Sequence, residues 1–306
     1  MYWYIVFSLK MTDAQADSRY LLIARAGKNS AHESYTTSSK DRAYDVLVYA
    51  YDESVPKPPR ETDHYICHVG EKISSYAWLF QERPDLLDSY DYIAWMDDDL
   101  ESDTETINTC FQLGSKYGLN LWQPSLTRES FYSYAAFLTN PLFTLRYTNF
   151  VEMQCPFFKV DTLREALPLF GMGYIVGLDL VWSRLHDDNM YKAAILDCVT
   201  VKHTRSVGLE FNRDRDENSN GYQKIVDAFL DEIGETWHGN VVYSAILKSG
   251  AQTNSRLLIA LRYLHLLLGL PTTPEPKHSY VRKVATVIRH VLTRPIGLQK
   301  VSLPSS

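Results

Sequence analysis

Three consecutive carboxylates, Asp97-Asp98-Asp99, follow directly on the apolar run Tyr92-Ile93-Ala94-Trp95-Met96. A strand that ends in acids crowds like charges at one rigid point, so something positive must compensate them. Carboxylate oxygens suit hard cations such as Mg²⁺ and Mn²⁺, which keep positions open for water and substrate phosphates, so the cluster fits a metal bridging to a diphosphate. Strand alternation would send Asp97 and Asp99 to one face and Asp98 to the other. The same triplet also fits a solvated acidic turn or the first turn of a helix.

His203 closes a second apolar run that begins at Ile195, and Thr204-Arg205 follow it. A histidine at a strand exit can complete a metal shell begun by carboxylates, or it can be a hydrogen-bonded structural residue. Arg205 has the planar fork that grips a phosphate bidentately, and the alternative is a plain surface charge. Asp179 stands inside the Gly-rich, apolar stretch Gly171 to Trp182. Burial there would raise its pKa towards a value useful for a general base, whereas a helix N-cap is the simpler role. The glycines of that stretch follow no clean strand and do not form a dinucleotide fingerprint.

These residues need elements to hold them. Arg19 to Gly27 is a short apolar run ending in small residues, which reads as a buried parallel strand. Tyr44 to Asp52 reads as a second strand, broken by the Pro-rich Val55 to Pro59. Lys72 to Gln81 has helical spacing, and Tyr92 to Met96 is the next strand. Leu121 to Pro124 resembles a strand end, Val151 to Phe158 an extended stretch, and Ile195 to His203 a further strand. Strands alternating with helices predict an α/β fold with a mostly parallel sheet. Ligands of such sheets sit beyond the carboxyl ends of the strands, where Arg25, Asp52 and Asp97 to Asp99 all fall. Asn212 to Tyr222, charged and rich in Asn and Gly, reads as a mobile surface loop.

The chain of 306 residues, 45% apolar, is long enough for one large α/β unit. Cys67, Cys110, Cys155 and Cys198 are widely spaced, which predicts free thiols and a reducing cytoplasm. Residues 1–18 contain an apolar segment too short to span a bilayer and without a cleavage signal, so they are expected to form a tail or strand. Either Met1 or Met11 suits a start. Charge is uneven: residues 251–306 carry eight Lys or Arg against one acid, Glu275, in a chain of net −6. Two basic amphipathic helices are expected there, Ser255 to Leu270 and Tyr280 to Leu292. They suit either an anionic membrane surface or a packing role as domain cap or dimer face. With no aromatic-interleaved basic stripe on an acidic body, nucleic-acid binding is not expected.

Several blocks in order carry a resemblance: Tyr20 to Ser30, Tyr90 to Leu100, Gln123 to Leu126, Arg146 to Glu152, Gly177 to Trp182 and His203 to Arg205. Over about residues 19 to 210 the chain resembles the domain-of-unknown-function family 707, which looks like a branch of the GT-A glycosyltransferases. The resemblance implies a GT-A-like catalytic domain, which with the change in charge is expected over 19–250, followed by the basic helical extension over 251–306. It implies that Asp97 and Asp99 hold a divalent metal, with His203 as a later ligand. It places Asp52 at the nucleoside, Lys72 at the nucleotide and Asp179 as the base of an inverting transfer; Arg25 and Asp98 at their strand exits and Arg205 with its guanidinium fork are expected at the nucleotide as well. Met96 stands where that family would have Pro, and the chain beyond about Glu210 carries none of its motifs.

The expected function is therefore transfer of a sugar from a nucleotide-sugar donor, with Mn²⁺ or Mg²⁺, to a glycan or lipid-linked acceptor in surface polysaccharide or lipopolysaccharide synthesis. The protein would lie in the cytoplasm, peripheral on the inner membrane face. A metal-dependent phosphotransferase or phosphatase with an aspartate nucleophile is the first alternative. A sugar-binding protein without turnover is the second.

Overall fold

The computed structural model describes residues 19–37, 41–58, 63–206, 220–268 and 276–303. The expected tail 1–18 and most of the 212–222 loop lie outside them. The end of that loop differs from expectation, because a helix begins at Asn220.

One mixed sheet forms the centre. Its strands are β1 (Tyr20–Ala26), β2 (Asp45–Ala50), β3 (His64–Cys67), β4 (Tyr92–Met96), β5 (Leu100–Glu101), β6 (Leu121–Leu126), β7 (Phe143–Thr148), β8 (Phe157–Lys159), β9 (Ala193–His203), β10 (Val242–Leu247) and β11 (Gln252–Thr253). The spatial order is β11-β10-β7-β9-β6-β8-β4-β1-β2-β3, with β5 paired separately to β9. Parallel pairing joins β3, β2, β1 and β4 on one side and β6 with β9 on the other. β8 lies antiparallel between these two groups, so the sheet is mostly parallel in direction but interrupted at its centre.

The helices are α1 (Glu33–Thr36), α2 (Lys72–Glu82), α3 (Asp85–Ser89), α4 (Thr104–Lys116), α5 (Val160–Gly171), α6 (Asn220–Glu232), α7 (Arg256–Tyr263) and α8 (Lys277–Thr293). They cover both faces, as two adjacent residues of β8 demonstrate. Phe157 meets Phe111 of α4, while Phe158 meets Trp95 and Trp182 on the side where Tyr76 of α2 and Phe170 of α5 also pack. Strands covered on both faces must be apolar throughout, and β1 is: every residue is buried but Arg25, which is half-buried.

Two local features aim the site. The Glu71 carboxylate caps α2 by accepting from the amides of Ile73 and Ser74 at 2.8 and 3.1 Å, which sets Lys72 at the first turn. β9 slips register against β6 between Leu196 and Thr200. Beyond the slip it pairs with β5, setting His203 opposite Leu100 and hence beside Asp99.

The 250/251 boundary drawn from charge falls inside the β10–β11 hairpin. Residues 251 onward add β11 to the sheet and pack α7 and α8 on the body. Among the described residues no helix is long and apolar enough to cross a membrane. All four cysteines are free thiols, Cys110 and Cys155 buried, Cys67 and Cys198 exposed.

Candidate functional site

The carboxyl ends of β1, β2, β4 and β9 open into one cleft of about 900 Å³. Arg25, Lys28 and Asn29 enter it after β1, Tyr51 and Asp52 after β2, Lys72 from α2, Asp97 to Asp99 after β4, and His203 and Arg205 after β9. Glu152 to Gln154, Gly177, Asp179 and Tyr222 complete the far side. All nine residues singled out from sequence therefore line the same cavity.

Strand alternation does not govern the triplet, because β4 ends at Met96 and the three aspartates form a turn into β5. The turn is pinned by its own backbone. Asp97 donates to the Gln154 carbonyl at 3.0 Å, the Asp98 carbonyl accepts from Ala31 at 2.8 Å, and the Asp99 carbonyl accepts from Thr204 at 3.0 Å. Each carboxylate then turns to a different donor. Lys72 Nζ donates to Asp97 Oδ2 at 2.6 Å and to the Met153 carbonyl at 2.9 Å. Asp98 Oδ2 accepts from the Tyr51 hydroxyl at 2.6 Å and from Arg205 at 2.8 Å. Asp99 Oδ2 lies 3.0 Å from His203 Nε2. The compensation demanded by three adjacent acids thus comes from three separate side chains.

These pairings alter the expected roles. Lys72 already pairs with Asp97, and Arg205 with Asp98 and with the Asn29 carbonyl at 2.7 Å, so each enters the cleft with part of its donors in use. Arg25 differs. Its Nη2 donates to the Gly70 carbonyl at 3.1 Å, its guanidinium lies 5.0 Å from the centre of the Tyr51 ring, and Nη1 is buried with no hydrogen-bond partner. Tyr51 can lie there only because residue 27 is glycine: a Cβ at Gly27 would stand 2.4 Å from its ring. Asp52 sits at the rim, where one oxygen accepts from the Ser54 amide at 2.9 Å and that bond holds its pKa below the usual carboxylate range.

Burial pushes the Asp97 carboxyl above its ordinary pKa, against the pull of Lys72. Burial opposes ionisation of Asp99 too, but the hydrogen bond and charge of His203 outweigh it and hold that pKa low. His203 shows the mirror image: burial would lower it, and Asp99 raises it.

Asp179 lies in a 3₁₀ turn, Leu178–Leu180, entered through Gly177 at φ +96°, a left-handed conformation that favours glycine. It caps no helix. Burial, reinforced by the nearby Glu152 carboxylate, raises its pKa to about 7, where a general base works best at neutral pH.

The metal set expected from sequence was Asp97, Asp99 and His203. Among the described residues no group of three or more His, Cys, Asp or Glu has the arrangement of a metal site. Asp97 is paired with Lys72 through Oδ2, and its Oδ1 takes no hydrogen bond. Asp99 and His203 do fit as a two-ligand edge, and the unpartnered buried Oδ1 of Asp97 and Oε1 of Gln154 belong to the same cleft. One or two protein ligands, with water and phosphate oxygens for the rest, is how Mg²⁺ is commonly held.

Sequence reasoning missed Tyr51, Glu152, Gln154 and Tyr222. Glu152 carried a readable signal, an acid closing the apolar Phe150-Val151, and it is buried with its carboxylate on the Gln154 amide.

No protein-family model and no curated protein sequence matches the chain. Among solved structures it is similar to S. aureus TarS 1-349 in complex with UDP-GlcNAc, with 8% identity, TM-score 0.40, and coverage of 89% of this chain and 72% of that one. The UDP complex of TarS 1-349 gives 12% identity, TM-score 0.34, and 70% and 71% coverage. A197 from STIV gives 16% identity, TM-score 0.35, and 61% and 86% coverage. Likenesses this slight fix neither a fold family nor an activity.

Proposed function

We propose that this chain is a GT-A-type glycosyltransferase that moves a sugar from a nucleoside-diphosphate donor to a hydroxyl of a glycan or lipid-linked acceptor, as the family 707 resemblance implies. The observation that carries this reading is one cleft holding a carboxyl poised near neutrality, Asp179, together with the Asp99–His203 edge and the unpaired Nη1 of Arg25. Asp52 and the Arg25–Tyr51 stack border the strand exits where a nucleoside would sit. Arg25 offers its free N–H to a phosphate oxygen, and Asp99 with His203 would hold Mn²⁺ or Mg²⁺. Such an ion, when bound, neutralises charge on the departing diphosphate. Asp179 takes the proton from the acceptor hydroxyl as that oxygen attacks the anomeric carbon, which inverts the centre. A place in surface polysaccharide or lipopolysaccharide synthesis fits this chemistry.

An aspartyl phosphotransferase has less support, because Oδ2 of each triplet member is engaged by a cation and the Oδ1 of Asp97, which takes no hydrogen bond, is buried. The test is a thermal-shift screen of the purified protein against nucleoside diphosphates and nucleotide sugars, with and without Mn²⁺, beside Asp99→Ala. A metal-dependent rise with one nucleotide, absent in the variant and accompanied by slow donor hydrolysis, is the expected result. No shift with any nucleotide would remove the transferase reading, and a shift without hydrolysis would leave a sugar-binding protein.

A further inference from the structure

Six of the nine large apolar side chains exposed among the described residues fall on one small part of the fold: Leu257, Leu261, Leu264, Leu268, Val281 and Leu292. The core-facing side of α7 and its 3₁₀ continuation is taken by Ile259, Ala260, Tyr263 and Leu266, all buried. The remaining leucines recur at intervals of four, three and four and so form a second, outward stripe, with Leu257 61% and Leu268 68% exposed. A helix that is apolar on both sides, one of them facing solvent, is incomplete as an ordinary surface helix.

α8 lies antiparallel beside it. Arg256 at the start of α7 donates to the His290 and Arg294 carbonyls at 3.1 and 2.6 Å, near the end of α8, while Tyr280 at the start of α8 donates to the Leu266 carbonyl. α8 turns Tyr280, Val284, Val287 and Val291 inward, and leaves Lys277, Val281, Arg282, Ala285, Arg289 and Leu292 exposed. Both helices are backed by the body, so their outer faces form a common surface. It carries branched aliphatics and cations, and its described residues include no acid.

We infer that this paired face of α7 and α8 docks on an anionic lipid surface. The leucine stripe enters the boundary between headgroups and acyl chains, and Lys277, Arg282 and Arg289 meet the lipid phosphates. Charge decides for a bilayer over a second copy. A two-fold contact would bring this basic face against itself, with no acids to offset the repulsion, whereas anionic lipid supplies the opposite sign across its whole plane. The inference is independent of the reaction catalysed, because no residue of the face lines the cleft.

The experiment is flotation of the full chain with vesicles of phosphatidylcholine alone or mixed with phosphatidylglycerol, at rising salt. Binding should require the anionic lipid and weaken with salt. Arg282→Glu with Arg289→Glu should lower partitioning roughly tenfold or more, since each basic residue near the surface contributes substantially. Leu261→Asp with Leu264→Asp should abolish it, with melting temperatures close to wild type because these positions are exposed. Failure to float with anionic vesicles overturns the inference. So does equal flotation with neutral vesicles, or a concentration-dependent dimer that Leu261→Asp with Leu264→Asp dissolves.

Discussion

His203 Nε2 stands 3.0 Å from Asp99 Oδ2, although 104 positions separate the two residues in the chain. The register that sets β9 against β5 makes the meeting, and the interaction drives the two pKa values apart, Asp99 down and His203 up. A group whose folded pKa is depressed contributes stability above its unfolded pKa, and one whose pKa is raised contributes below it. The pair therefore stabilises most between the ordinary carboxylate and imidazole values. That contribution fades as pH falls through the folded value of Asp99 or rises through that of His203. His203→Gln should lower the melting temperature most near pH 5 to 6 and least at alkaline pH, as a series of thermal melts would record. An equal loss at every pH would refute the charged pairing.

Asp179 should govern the pH dependence of turnover. With its pKa raised to about 7, the ionised base is scarce in acid, so kcat for donor consumption should climb with pH through that value and level off above it. Asp179→Asn should cut turnover by roughly 100-fold or more, the usual scale of a general base. Glu152 contributes to the shift, so Glu152→Gln should move the midpoint to lower pH while leaving an active enzyme. A profile that keeps its midpoint in Glu152→Gln would separate the two carboxylates.

The strand exits, the acid triplet, the terminal histidine and the buried Asp179 were legible because each is a local pattern: an apolar run, then a residue that cannot stay in the core. The extended stretch expected over Val151 to Phe158 hid two roles, since only its end belongs to a strand, Phe157–Lys159, while Glu152 to Gln154 line the cleft. The partners of the triplet were equally hidden. Lys72 reaches Asp97 through the way α2 starts, and Tyr51 reaches Asp98 because Gly27 leaves room for its ring. Contacts between distant segments depend on register and on the size of neighbours, neither of which a hydrophobic period records. The helical pair at the end was legible as amphipathic, but which leucines face the core needed the packing partners.

Removing Lys72 should make stability more sensitive to pH. Asp97 is held in a poorly solvated place, with burial raising its pKa and the lysine opposing that rise. In Lys72→Met the carboxyl would titrate higher still, so ionising it would cost more as pH increases. We expect a loss of about 1–3 kcal/mol at pH 8 and a smaller one at pH 5, read from urea unfolding. Adding Asp97→Asn to Lys72→Met should recover much of the loss, because the amide carries no charge to strand.

The most severe loss of stability should come from a pair far from the cleft. Arg146 and Asp197 are both fully buried, joined by two hydrogen bonds of 2.6 and 2.8 Å. The guanidinium also donates to the carbonyls of Ala136 and Leu138 and to the Tyr263 hydroxyl, while Asp197 accepts from the Asn140 amide at 2.8 Å. β9 pairs with β7 with Ile195 opposite Arg146, so alternation sets Asp197 on the arginine's face, and the clamp ties β7, β9, the 135–140 segment and α7 together. Arg146→Ala would leave a buried carboxylate and several buried carbonyls unmet, which should cost about 3–5 kcal/mol. Burial already raises the Asp197 pKa against the attraction of the arginine, so the variant should be least stable at high pH, where the lone carboxylate must ionise. Arg146→Met combined with Asp197→Leu should unfold at higher urea than Arg146→Ala alone, because it removes the stranded charge and fills the space. If the double variant is no more stable than the single one, the loss comes from the carbonyls and Tyr263 that Arg146 also serves.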